Sequence, residues 1–244
     1  MLIINADDWG RSSAATEGAA ACFQKGRITS TTAMVFMADS ERGARIAREL
    51  KIDVGLHINF SEEFSAAAVS PEVRGAHRAI RRFLKSSRYA LLLYNPFLRR
   101  QFALVLRAQL EEFERLFERA PSHLDGHQHL HLCSNSLIDR LLPPGTKVRR
   151  SFSFRVGEKG LVNRAYRGLI DRALVKRHPV TDYFFALSQN LQTDRLARVV
   201  RLAHDHAVEL MAHPEVAGEF ERLLGDEFAE QIAPVRLGSY QDLG

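Results

Sequence analysis

Leu2-Ile-Ile-Asn-Ala-Asp-Asp-Trp-Gly10 is the stretch on which the fold turns. Residues 2–6 are apolar or small, and two acids and a Trp-Gly pair follow. That pattern predicts a short buried strand ending in Asp7-Asp8. No Gly-rich phosphate loop follows it, which counts against an open doubly wound sheet, the runner-up architecture. Ser12-Ser13 instead offers an N-cap for a helix from about Ala14 to Gln24, ended near Gly26. The alternation then continues. Thr31 to Met37 reads as a strand, Asp39-Ser40 starts a helix to about Leu50, and Asp53 to Phe60 is a third strand carrying His57 near its end.

The pattern lapses over 61–100, a polar and Ala-rich loop followed by a basic stretch. Eight Lys or Arg lie from Arg74 to Arg100 with no acid among them. The spacing favours a solvated helix face, a cover beside the barrel mouth, over an anion or nucleic-acid site. Tyr89 to Tyr94 is an apolar hexamer before Pro96 that suits a lid or an oligomer contact. From Gln101, Phe102, Leu106, Leu110, Phe113 and Phe117 mark an amphipathic helix. Beyond the strand at 122–127 come a helix over Asn135–Leu142, a strand over Lys147–Phe152 and a helix over 160–177. A strand over Thr181–Leu187, a helix from Thr193 to His206, a strand from Val208 to His213, a helix over 218–232 and a strand at Val235–Leu237 follow. Seven or eight strands alternating with helices predict one α/β domain over 1–244, its mostly parallel sheet closed, or nearly closed, into a barrel.

His123-Leu-Asp-Gly-His-Gln-His-Leu-His131 packs four of the ten histidines into nine residues, with Asp125 among them. Neutral imidazoles beside a carboxylate are what a divalent-metal site needs. On a strand Asp125, His127, His129 and His131 share a face; on a helix only His127 and His131 do. Asp7, Asp8, His57, Asp125, His127 and His213 all fall at or just past predicted strand ends. In a parallel barrel those ends meet at one face, where active sites form.

At 45% hydrophobic and 26% charged residues the composition is that of a soluble globular chain, and a net charge of +5 is too weak to argue nucleic acid. Cys22 and Cys133 lack metal-type spacing and read as reduced and buried. No run approaches 18 apolar residues, and Met1–Asp8 is too short and acidic for a signal peptide, so a cytoplasmic protein without a membrane span is expected.

Five motifs together resemble the YdjC-like carbohydrate deacetylases, a family that includes chitooligosaccharide deacetylases. They are Asn5-Ala-Asp-Asp-Trp-Gly10, Gly26-Arg-Ile-Thr-Ser-Thr31, Gly55-Leu-His57, the 123–131 stretch and Ala212-His-Pro214, in the family's order. The resemblance implies a distorted (β/α), TIM-like barrel and hydrolysis of N-acetyl groups on a small carbohydrate, releasing acetate. It implies a divalent metal on Asp8, His57 and His127, Asp7 as catalytic base and His213 as general acid. Asp125 would orient a ligand ring from behind, with His131 in a similar supporting place and His129 outside the ligand set. The cofactor expected is Mg or Zn, although an Asp-His-His set also suits Mn, Co, Fe or Ni. A homodimer is implied as well. Trp9 stands where Phe or Tyr is usual, Thr16 where Asn is expected and Glu215 where Gly is common. Two rivals to a deacetylase are a metal-dependent phosphoesterase or amidohydrolase-like enzyme and an inactive metal- or sugar-binding homologue.

Overall fold

The computed structural model describes residues 1–154 and 160–244. Strand β1 (Leu2–Trp9) is buried along its whole length and lies at the centre of the sheet. Helix α1 (Ser13–Gln24) follows, its first turn capped by the Ser12 hydroxyl, which accepts from Ala15 N–H. Then come β2 (Ser30–Ala33), α2 (Ser40–Leu50), β3 (Asp53–Ile58), α3 (Pro71–Lys85) and α4 (Arg99–Phe117). The second half contributes β4 (Leu124–Gly126), α5 (Ser134–Ile138), α6 (Leu161–Val175), β5 (Tyr183–Ala186), α7 (Thr193–Asp205), β6 (Val208–Ala212), α8 (Ala217–Leu224), α9 (Asp226–Ile232) and β7 (Leu237–Gly238).

Among the described residues there are seven strands, all in parallel pairings, ordered β4-β3-β2-β1-β6-β5. β7 pairs with Leu2 and Ile3 before β2 takes over at Asn5. Parallel strands are buried on both faces, hence the near-continuous apolar runs in β1 and β6. The sheet curls into a half-barrel, and residues 147–153 cross its open side. Leu124 N–H donates to the Lys147 carbonyl at 2.9 Å, Arg149 N–H to the Leu124 carbonyl at 3.0 Å, and Ser153 N–H to the Phe184 carbonyl at 2.9 Å. The strand expected at Lys147–Phe152 is therefore a single bridge at Val148. Its main chain serves both edge strands without a ladder to either.

The helix expected over 218–232 is two, because Gly225 sits between them in extended conformation. The basic segment holds a full helix, α3, with Pro71 in its first turn and the Ser70 hydroxyl accepting from Val73 N–H. α4 buries Phe102, Leu106, Phe113 and Phe117 as its spacing predicts, with Leu110 only partly covered. It also buries Gln109, whose side-chain oxygen accepts from Asn59 N–H at 2.7 Å. That bond fixes the chain two residues past His57 and so ties the outer helix to the position of a candidate ligand.

Candidate metal centre

Parallel pairing brings the C-terminal ends of β1, β3, β4 and β6 to one edge, and the predicted acids and histidines gather there. Asp8 Oδ1 lies 3.2 Å from His57 Nε2 and 3.0 Å from His127 Nδ1. Each of these residues offers one donor atom, and the three atoms lie within 4.8 Å of one another. Two backbone features make this cluster. In β1 the register slips between Ala6 and Trp9, and Asp8 takes φ 65°, a left-handed conformation that Asp tolerates better than most residues. Adjacent strand residues ordinarily face opposite sides, but this bulge turns both Asp7 and Asp8 towards the site. After β4, Gln128 and His129 are also left-handed, at φ 54° and 57°. The 123–131 stretch is thus neither strand nor helix throughout. It ends as a strand at Gly126 and kinks, leaving His127 alone of its histidines against Asp8.

The other three histidines of the stretch have different surroundings. His123 stacks on Tyr240 with ring centroids 3.6 Å apart. A Cβ on Gly55 would lie 2.5 Å from the His123 ring, so only glycine lets β3 pass it. His129 meets the Phe152 ring edge-on at 4.5 Å. His131 Nε2 donates to the Arg149 carbonyl at 3.1 Å. Burial holds all three neutral, with pKa values lowered to about 4, 3 and 4 for His123, His129 and His131.

Asp125 sits behind His57, accepting from Nδ1 at 2.7 Å while Thr32 Oγ1 donates to its other oxygen at 3.0 Å. This leaves Nε2 directed at Asp8, the arrangement in which a carboxylate fixes the orientation of a ligand imidazole. Burial opposes a charged His57 ring, but Asp125 and Asp7, with hydrogen bonds to Asp125 and Asp8, hold its pKa well above the ordinary value. Burial also opposes charge on Asp8, yet hydrogen bonds from His127 and His57 keep its carboxyl well below the usual range.

Arg149, fully buried, is the residue the sequence does not single out. It makes a two-pronged pair with Asp7, both contacts 2.7 Å, and also reaches Asp125 at 2.7 Å and Glu209 at 2.8 Å. Burial raises the Asp7 pKa, but Arg149 outweighs it and the carboxyl remains ionised below its usual range. Tyr240 OH donates to Glu209 at 2.5 Å, and burial still lifts Glu209 to about 7. A second possible metal group, Asp7, His57 and Asp125, shares His57 with the first. Its two carboxylates already face one guanidinium, whose charge repels a cation, so Asp8, His57 and His127 fit an ion better.

The rim explains two departures from the family pattern. Glu215 pairs with Arg11 at 2.7 Å, and Arg11 also grips Glu62 through contacts of 2.8 and 3.0 Å. Glu62 in turn lies 3.3 Å from His127 Nε2. Thr16 Oγ1 donates to Asp39 at 2.6 Å and accepts from Gly10 N–H at 3.2 Å, anchoring the turn that follows the two acids. His213 directly follows β6. Burial lowers its pKa, but Glu219 and Asp7 outweigh that and raise it above the ordinary value.

The fold and site define a parallel α/β protein with a carboxylate–imidazole cluster at its C-terminal edge. A family model for YdjC-like proteins matches residues 1–234, and the chain belongs to that family. A human carbohydrate deacetylase is 34% identical, the alignment covering 87% of this chain and 74% of that one. A chitooligosaccharide deacetylase of Yersinia pestis (strain Pestoides F) is 27% identical over 88% of this chain and 81% of its own. A crystal structure from Enterococcus faecalis, of a protein provisionally named for cellobiose-phosphate cleavage, superposes with a TM-score of 0.69 at 17% identity. It covers 98% of this chain and 97% of that one, and shows the fold.

Proposed function

We propose that this chain is a metal-dependent carbohydrate N-deacetylase, one domain that removes the acetyl group from an acetylated amino sugar and releases acetate. The observation that carries the reading is the Asp8–His57–His127 cluster with Asp7 beside it in separate bonding. One carboxylate is left for an ion and its neighbour is left for a proton. Asp8, His57 and His127 would hold a divalent ion, Zn and Mg being the first to try. When bound, the ion supplies Lewis-acid chemistry, polarising a carbonyl and acidifying a water.

The chain's own groups do the rest. Asp7 accepts a proton from the attacking water through a carboxylate oxygen that Arg149 keeps ionised and aimed. His213, whose pKa Glu219 and Asp7 raise, delivers a proton to the departing amine nitrogen. Asp125 and Thr32 fix the His57 ring. His131 supports Arg149 through its main chain and stands further from the chemistry than Asp125. Names of relatives support a sugar amide as substrate. Incubating the metal-loaded protein with an N-acetylated chitooligosaccharide, beside a generic phosphate ester, tests the reaction class. Acetate and free amine should appear together in equal amounts. Phosphate release without acetate would identify a phosphoesterase, and neither product would identify an inactive binding homologue.

A further inference from the structure

The segment between α3 and α4 carries an exposed apolar patch that the deacetylase reading does not use. Tyr89, Leu91, Leu92, Leu93 and Phe97 are all exposed, Leu93 by 56% and Phe97 by 87%. The patch is firmly mounted. Asn95 N–H donates to the Asn135 side chain at 3.0 Å, the Asn135 amide donates back to the Asn95 carbonyl at 2.8 Å, and Tyr94 OH donates to Asp139 at 3.0 Å. These bonds anchor the segment to the residues around α5.

Exposed cations without an acid partner flank the patch in sequence on both sides. Arg82, Lys85, Arg88 and Arg100 are exposed and, among the described residues, have no carboxylate partner. Arg81 is paired with Glu63 and Arg99 with Asp139. Arg88 lies over the Tyr89 ring, 4.7 Å from its centroid. Isolated exposed Leu residues need no explanation, but a contiguous set of Leu and aromatic residues flanked by free cations does.

The patch adjoins the candidate site. A cavity of about 600 Å³ is lined by His127, Glu62 and Glu63 together with Lys85, Arg88 and Leu91. Leu91 belongs to both the cavity wall and the exposed patch. The site thus opens towards the apolar and basic surface.

We propose that this surface seats the protein on an anionic lipid membrane and that its acetylated amino sugar is carried on a lipid. The substrate half rests on the deacetylase reading; the seating half does not. Leu and aromatic side chains enter the headgroup boundary while Lys and Arg meet lipid phosphates, as at other interfacial anchors. Two copies of the chain fit the surface less well, because a two-fold contact sets a patch against itself and would bring the unpaired cations together. A nucleic acid would satisfy the cations but leave Leu91 to Leu93 against phosphate.

The test uses the full chain and the triple variant Leu92→Ser/Leu93→Ser/Phe97→Ser, none of whose positions lines the cavity. Sedimentation with phosphatidylcholine vesicles containing about a third phosphatidylserine should pull down the wild type, with loss of binding in the variant and in pure phosphatidylcholine. Turnover of methyl N-acetyl-glucosaminide in solution should stay within about twofold in the variant, which also shows that it folds. Turnover of dodecyl N-acetyl-glucosaminide held in the anionic vesicles should fall about tenfold or more. Absence of wild-type vesicle binding overturns the proposal. So does a concentration-dependent dimer that the triple variant abolishes, which would assign the patch to a second copy. Equal turnover of both proteins on the dodecyl glycoside overturns the substrate half. Vesicle binding with no acetate from either glycoside keeps the seating and refutes the deacetylase reading instead.

Discussion

Asp7→Asn should keep its metal and lose about 10²–10⁴-fold in turnover, the usual effect of removing a general base. The expectation comes from the division of labour at the end of β1. The left-handed Asp8 turns its carboxylate to the two imidazoles, while both oxygens of Asp7 face Arg149. An amide at position 7 cannot accept the water's proton as a carboxylate does. It also leaves Arg149 with Asp125 and Glu209 alone. Breaking a buried ion pair outright costs about 3–5 kcal/mol, and here two carboxylates remain, so the cost in stability should be smaller than that. Metal content, acetate release and a melting curve on the same preparation separate the effects. Metal lost from Asp7→Asn but kept by Asp8→Asn would reverse the two roles. Near-full activity in Asp7→Asn would move the base to His213 or Asp125.

Single Ala variants of His57 and His127, and Asp8→Asn, should lose bound metal at concentrations that saturate the wild type, with Asp8→Asn activity partly restored by excess ion. Asp125→Ala should weaken affinity less, by about 10–100-fold, because it acts only through the orientation of His57. His129→Ala should leave metal content unchanged, since that ring packs against Phe152. Elemental analysis after dialysis decides each case; full occupancy in both histidine variants would dismantle the assignment. The same site predicts a pH dependence. The raised pKa of His57 means that a proton competes for its ring in the metal-free protein. Affinity should therefore rise with pH while that ring is protonated and fall as the solution is acidified. A pH-independent dissociation constant would contradict this.

Much of the site was legible because the sheet is parallel. Each strand end can be read locally, and parallel pairing then places those ends together whatever their separation in sequence. Strand assignments and residue chemistry gathered Asp7, Asp8, His57, Asp125, His127 and His213 at one edge, and the family resemblance singled out Asp8, His57 and His127 among them. What was not legible depends on backbone detours and long-range pairing. The left-handed turn at Gln128-His129 separates His127 from His129 and His131, and nothing in alternating histidines announces it. Arg149 lies in a stretch read as an ordinary strand, yet it crosses the open side of the half-barrel as a single bridge. The adjacent pair Arg149-Arg150 inside a predicted strand was the available signal. Glu62 and Arg11 meet across the rim from loops whose approach no periodicity encodes. Ser70-Pro71, by contrast, is a helix start that marks where the basic helix α3 begins.

The most direct test of the account is a metal titration of the stripped protein followed by acetate release from an N-acetylated chitooligosaccharide. Activity should be absent without metal and rise in proportion to bound ion, reaching its plateau at about one ion per chain, as a single three-ligand catalytic site requires. Full acetate release by protein shown to be metal-free, or a plateau unaffected by loss of Asp8, His57 and His127, would contradict it.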